Sequence, residues 1–157
     1  MIKSKKHQFS INLAQYVKRR NGVPLGAAGS MSNMLSRSFG AGYFAEFWRY
    51  WNPIWGYYLS CKVFTPAKHY LPTELALLLT FLVSGIMHDL ATMVVRGAPA
   101  FLFTPWFVLM ALSIIVSDVL GIRYRQFNWL VRAAINTSYI GISLYLTVIF
   151  RWHFDLP

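Results

Sequence analysis

Cysteine and acidic side chains are scarce in this 157-residue chain, which has one cysteine, Cys61, and only five Asp and Glu residues. A single cysteine cannot form an internal disulfide, and without a CxxC pair or a Cys/His cluster the sequence predicts no metal site. The chain also has no Gly-x-Ser-x-Gly elbow, which argues against a serine hydrolase, and no Gly-rich phosphate loop. We therefore expect no tightly bound cofactor.

Charged residues make up only 13% of the chain, whereas 56% of the residues are hydrophobic and 17% are aromatic. This composition lies outside the range of soluble globular domains and predicts burial in a membrane. Three apolar segments, Leu71–Val95, Phe101–Gly121 and Trp129–Phe150, are each long enough to cross roughly 30 Å of hydrocarbon as a helix. We expect an all-α membrane protein with about three transmembrane helices, forming one membrane domain over residues 1–157.

The net charge is +10, and most of the basic residues precede the first long apolar segment, as the cytoplasmic flanks of membrane helices do. These are Lys3, Lys5, Lys6, Lys18, Arg19, Arg20, Arg37, Arg49, Lys62 and Lys68. Their position favours a lipid membrane over nucleic acid as the partner, and no nucleic-acid binding is expected. With Arg123, Arg125 and Arg132 on the same side, the charge asymmetry predicts a cytoplasmic N-terminus, and we expect the inner (cell) membrane of a bacterium.

Residues 1–33 are predicted to be a basic segment at the membrane interface. Apolar residues at helical spacing predict a short surface helix over residues 9–17. Residues 21–24 and 26–32 are rich in glycine and other turn-forming or small residues, which predicts turn and loop. Helical character resumes near Met34, where the predicted core of residues 34–157 begins.

The stretch from Ser38 to Phe64 is dense in aromatic rings but also carries charged residues, which suits a re-entrant or interfacial segment, or a protein-lined cavity. Asn52 before Pro53 is a common helix start, so we expect a helix break at Asn52. The tryptophans at helical spacing are Trp48, Trp51 and Trp55. They are typical of an interfacial belt, and a substrate platform is the alternative interpretation.

His88 lies well inside the first apolar segment, where an ionisable group indicates a functional site. Ser84, His88 and Thr92 share one helix face, with Gly85 and Asp89 bordering it. Desolvation disfavours the imidazolium, so a buried neutral imidazole could accept a proton as a general base. The alternative is that His88 only hydrogen-bonds between helices.

Polar residues also follow one face of the third apolar segment, where packing between helices is the expected role. They are Arg132, Asn136, Tyr139, Ser143 and Thr147. Asp118, near the end of the second segment, is expected to pair with Arg123 or Arg125, and a proton relay is the alternative.

Two blocks, Phe-Trp-Arg-Tyr-Trp-Asn-Pro over residues 47–53 and Ser-Gly-Ile-Met-His over residues 84–88, resemble the signature of the membrane-bound O-acyltransferase family. The order and separation of the blocks also resemble that family, over residues 34–90 and more loosely to about 150. The resemblance implies that His88 is the catalytic base and that Asn52 assists it. Substrate-binding residues are then expected at Trp48, Trp51, Ser84 and Asn136.

The same resemblance implies acyl transfer from a thioester, either acyl-coenzyme A or an acyl carrier protein, to a hydroxyl of a lipid, glycan or small molecule. Members of the family are usually much longer, with additional helices around the reaction chamber. We therefore expect identical copies or a second membrane subunit to complete the site. A noncatalytic membrane subunit or scaffold, or a channel component, is the alternative.

Overall fold

The structure, a computed structural model, describes residues 11–153, and every regular element in that range is helical. The helices are α1 (Leu13–Asn21), α2 (Ser30–Phe39), α3 (Phe44–Tyr50), α4 (Pro53–Leu59), a π-helical turn (Ser60–Phe64), α5 (Thr65–Ala67), α6 (Thr73–Arg96), α7 (Phe103–Val119) and α8 (Trp129–His153). The expected all-α fold class is confirmed for this range.

Two helices, α6 and α8, are long and apolar enough to cross a membrane. Only 22% and 17% of their most apolar stretches are buried inside the protein, so neither resembles the core helix of a soluble domain. Both match predicted segments closely. The third predicted segment forms α7, whose 17 residues span only about 25 Å, less than the thickness of a bilayer core.

The N-terminal boundaries differ from the predicted ones. Helix α1 begins at Leu13 because Asn12 and Gln15 form a reciprocal capping box, and it continues through the basic residues to Asn21. Residues 9 and 10 of the predicted surface helix lie outside the described range. Helix α2 begins at Ser30, not near Met34, so part of the predicted loop is helical.

One glycine and one carboxylate of α6 set how α7 packs against it. A Cβ atom on Gly85 would lie 2.6 Å from Cα of Thr104, so only glycine allows this approach. Asp89, 2% exposed, accepts backbone N–H bonds from Leu102, Phe103 and Thr104 at 2.8–2.9 Å. This carboxylate satisfies the free donors at the start of α7, so α6 fixes where α7 begins.

The predicted break at Asn52 separates α3 from α4, and Pro53 is the first residue of α4. Asn52 has φ 39°, in the left-handed region, where asparagine is tolerated better than most residues. The short helix α3 contributes Phe44 and Phe47 to a core completed by residues of α6 and α7. The predicted aromatic segment therefore packs into the bundle instead of lying only at its surface.

The connection between α7 and α8 is tied to the rest of the fold. Asp118 pairs with Arg123 at 2.7 Å, which confirms one of the two predicted partners, while Arg125 pairs with Glu46 of α3. Tyr124 donates its backbone N–H to the carbonyl of Gly42 at 2.9 Å. These contacts bring the start of α8 beside the α2–α3 connection.

Candidate active site

His88 lies at the end of the middle third of α6, level with the start of α7, and its side chain is half-buried. Three aromatic rings surround the imidazole. Their centroids lie 6.0 Å away for Trp55 of α4, and 5.5 Å and 5.0 Å away for Phe103 and Phe107 of α7. The imidazole thus occupies an apolar, ring-lined position between α4, α6 and α7.

The orientation of the imidazole follows from one hydrogen bond. Nδ1 of His88 lies 2.7 Å from the backbone carbonyl of Ser84, one turn earlier in α6. A carbonyl oxygen only accepts, so Nδ1 carries the hydrogen, and the neutral ring keeps its lone pair on Nε2. A base that takes a proton from a hydroxyl needs this arrangement: one nitrogen held by the protein and the other free to accept.

Ser84 joins α4 to the histidine. Its hydroxyl, on a residue only 4% exposed, accepts a hydrogen bond of 2.9 Å from the indole N–H of Trp55. The same indole stands edge-on to the imidazole of His88. Ser84 therefore holds one wall of the site in place through its side chain and the histidine through its carbonyl.

Asn52 reaches this cluster only indirectly. Its side-chain oxygen accepts the backbone N–H of Trp55 at 3.2 Å, which is the bond of a helix cap, and the residue itself is exposed. No hydrogen bond joins Asn52 to His88 in the part of the chain that the structure describes. The geometry accounts for Asn52 as the residue that starts α4 and thereby positions Trp55, while its assisting role in catalysis stays a prediction.

The two tryptophans expected to bind substrate have different surroundings. Trp48 packs against Phe81 of α6 and Phe107 of α7. Because Phe107 also contacts His88, Trp48 lies next to the rings that surround the histidine. Its indole Nε1 is buried and has no hydrogen-bond partner among residues 11–153. Trp51 stacks on Phe47 at 5.4 Å, within the α2–α3 packing. Of the two, only Trp48 shares a wall with His88.

Asn136 of α8 lies apart from the His88 cluster. It is fully buried, donates both amide hydrogens to the carbonyls of Phe39 and Ala41 at 3.0 Å, and accepts 2.7 Å from the hydroxyl of Tyr124. Burial raises the pKa of Tyr124, which keeps this donor protonated. Since both amide hydrogens are used within the protein, the contacts give Asn136 a structural role, and its expected contact with substrate stays a prediction.

Sequence reasoning missed two contributors to the site. The sequence pattern places Asp89 only at the border of the polar face, although a carboxylate inside an apolar helix indicates a buried partner. Phe103 and Phe107 have the i, i+4 spacing of one helix face, but apolar residues fill α7 so completely that periodicity does not single them out. The contact with His88 depends on how Asp89 sets the start of α7.

Comparisons with known proteins return no match: no protein-family model, no curated protein and no solved structure matches this chain. The resemblance to membrane-bound O-acyltransferases therefore rests on the two sequence blocks. In the structure Trp55, two residues beyond the first block, contacts Ser84 and His88 of the second block.

Proposed function

We propose that this chain is the core of a membrane O-acyltransferase resembling the membrane-bound O-acyltransferase family, with His88 as general base. The observation that carries the proposal is the imidazole itself: Nδ1 is bonded to a carbonyl, which leaves the Nε2 lone pair free inside a wall of aromatic rings. Such a base has the orientation and the apolar surroundings that acyl transfer to a hydroxyl requires.

In the proposed reaction, Nε2 of His88 removes the proton from an acceptor hydroxyl as its oxygen attacks the thioester carbonyl carbon. The carbon–sulfur bond then breaks, the ester remains on the acceptor, and the leaving thiolate takes the proton back from the imidazolium. The histidine returns to its starting state, so no cofactor is consumed. The acyl donor is a coenzyme A or carrier-protein thioester, and the acceptor is a hydroxyl of a lipid, glycan or small molecule.

The proposal places α6, α7 and α8 across a membrane, with α7 reaching the interfaces through its flanking connections. Basic residues gather at the end where α6 and α8 start, which favours that end as the cytoplasmic one and a bacterial inner membrane as the location. His88 is only half-buried, so a site that must exclude water needs another wall. We propose that a second copy or a separate membrane subunit supplies it.

A noncatalytic membrane subunit is the second candidate, because the Trp55–Ser84 bond and the rings around His88 would also serve to fasten α4 to α6 and α7. In that case the histidine packs and does not accept a proton. The two candidates differ in what a substitution of His88 does to acyl transfer and in what it does to folding.

The test uses protein purified in lipid with its co-purifying subunits, labelled acyl-coenzyme A or acyl carrier protein, and a total cell extract as acceptor. His88→Gln keeps a polar side chain of similar size but removes the base, and should lower acyl transfer by about 10²–10⁴-fold. His69→Gln, at an exposed position between α5 and α6, is the matched control and should retain activity. Equal transfer by folded His88→Gln, or no transfer by the unaltered protein with either donor, would favour the noncatalytic subunit.

A further inference from the structure

A cavity of about 350 Å³ lies where the end of α2 and the start of α3 meet the α7–α8 connection and the first turn of α8. Its charged lining consists of three arginines, Arg37, Arg125 and Arg132, and one acid, Glu46. None of these residues belongs to the His88 cluster. The cavity sits near the end of α7, whereas His88 sits beside its start.

Glu46 neutralises the charge of only one of the three arginines. Its carboxylate lies 2.7 Å from Arg125 and also accepts the backbone N–H of Gly42 at 2.9 Å. Arg37 donates to the backbone carbonyl of Arg20 at 2.6 Å, which orders the guanidinium without neutralising it. The cavity lining therefore carries two positive charges that no acid in the lining balances.

Arg132 supplies the second of these unbalanced charges. The side chain belongs to the first turn of α8, and its Nε is buried without a hydrogen-bond partner among the described residues. That N–H is enclosed by the protein, so a ligand in the cavity would meet the terminal N–H groups of the guanidinium, which pairs with no acid of the lining. The start of α8 adds the partial positive charge of a helix N-terminus on the same side.

We infer that this cavity is a binding site for a phosphate group. Guanidinium groups bind phosphate oxygens through paired, charge-assisted bonds, and two unbalanced arginines match the −1.5 to −2 charge of a phosphate monoester near neutral pH. A carboxylate, with one charge, would balance only one of them. With α8 across a membrane, its first turn lies at headgroup level, so the phosphate belongs either to a lipid such as phosphatidic acid or to a soluble ester.

Binding can be measured on the full chain in detergent by titrating short-chain phosphatidic acid in one arm and glycerol 3-phosphate in the other, at low and moderate salt. Arg132→Gln should weaken binding about tenfold or more, since it removes a charged donor. Arg125→Gln, an exposed position, gives the same test if Arg132→Gln fails to fold. Arg19→Gln, exposed and outside the cavity, removes the same charge as a control and should change affinity less than threefold.

Glu46→Gln provides a test of opposite sign. It removes the one negative charge of the lining, so phosphate affinity should rise, whereas a merely structural role would leave affinity unchanged or lower it. Binding only in the lipid arm would support a headgroup site, and binding in the soluble arm would support a free phosphate ester. No binding in either arm, or binding that Arg132→Gln and Arg125→Gln leave equal to Arg19→Gln, would overturn the inference.

Discussion

Substitution of Asp89 by asparagine tests how α7 is positioned against the histidine. The carboxylate is 2% exposed and receives three backbone N–H groups at 2.8–2.9 Å. Hydrogen bonds to a charged group contribute about 1.5–3 kcal/mol each and neutral ones about 0.5–1.5, so removing the charge costs about 1 kcal/mol per bond. In addition, the NH₂ group of asparagine would face one of the three backbone N–H donors. That buried N–H would lose its acceptor, which costs about 1–3 kcal/mol.

The expected loss for Asp89→Asn is therefore about 3–5 kcal/mol in the free energy of unfolding. The loss is measured by denaturant titration in detergent, in which unfolding is followed by tryptophan fluorescence. Asp118→Asn makes the same chemical change at an exposed ion pair with Arg123, where less than about 1 kcal/mol is expected. Equal stabilities for the two variants would refute the assignment of Asp89 as the anchor of α7.

Three further changes test packing contacts, two of them beside His88 and one between Tyr124 and α8. Gly85→Ala would force a Cβ to within 2.6 Å of Thr104 and should cost about 1–3 kcal/mol in the same titration, whereas Gly141→Ala, with no atom within 4 Å, should be neutral or stabilising. Trp55→Phe removes the indole donor, so the free energy of unfolding should fall by about 1 kcal/mol. The folded variant should nevertheless show reduced acyl transfer. Burial raises the pKa of Tyr124 from its ordinary 10.0, so the protonated hydroxyl stabilises the fold below pH 10; that stability falls as the pH rises above 10, and Tyr124→Phe should flatten the loss.

The sequence predicts the main helices because their apolar runs are long and end at clear signals. The predicted break at Asn52 is confirmed since Asn-Pro is a local signal that needs no tertiary contact. The sequence predicts the start of α2 too late, because the helix begins at Ser30 after Gly29, which is in the left-handed region and provides no side-chain cap. Local residue preference gives little warning of such a start.

The candidate site is less accessible to sequence reasoning, because its geometry depends on contacts between distant residues. The position of His88 in an apolar helix identifies it as a candidate site residue. Which ring nitrogen carries the hydrogen depends on the Ser84 carbonyl, and a backbone group of this kind leaves no signal in the sequence. The arginine cavity is equally hidden, since Arg37 and Arg132 come together only when α2 meets α8. Charge counting assigns both to one side of a membrane and does not predict that they share a cavity.

Asn52→Gly separates the two roles considered for Asn52. Glycine adopts φ 39° without strain, and as a helix cap it is only a few tenths of a kcal/mol worse than asparagine, so stability should stay within about 0.5 kcal/mol. Acyl transfer then reports on the amide, and the fall measured for Trp55→Phe shows how much of any loss comes from a displaced Trp55. If Asn52 assists His88, transfer should fall about tenfold or more in a protein of unchanged stability. If transfer is unchanged, Asn52 only starts α4, and His88 is then the one residue for which the catalytic role implied by the family resemblance still holds.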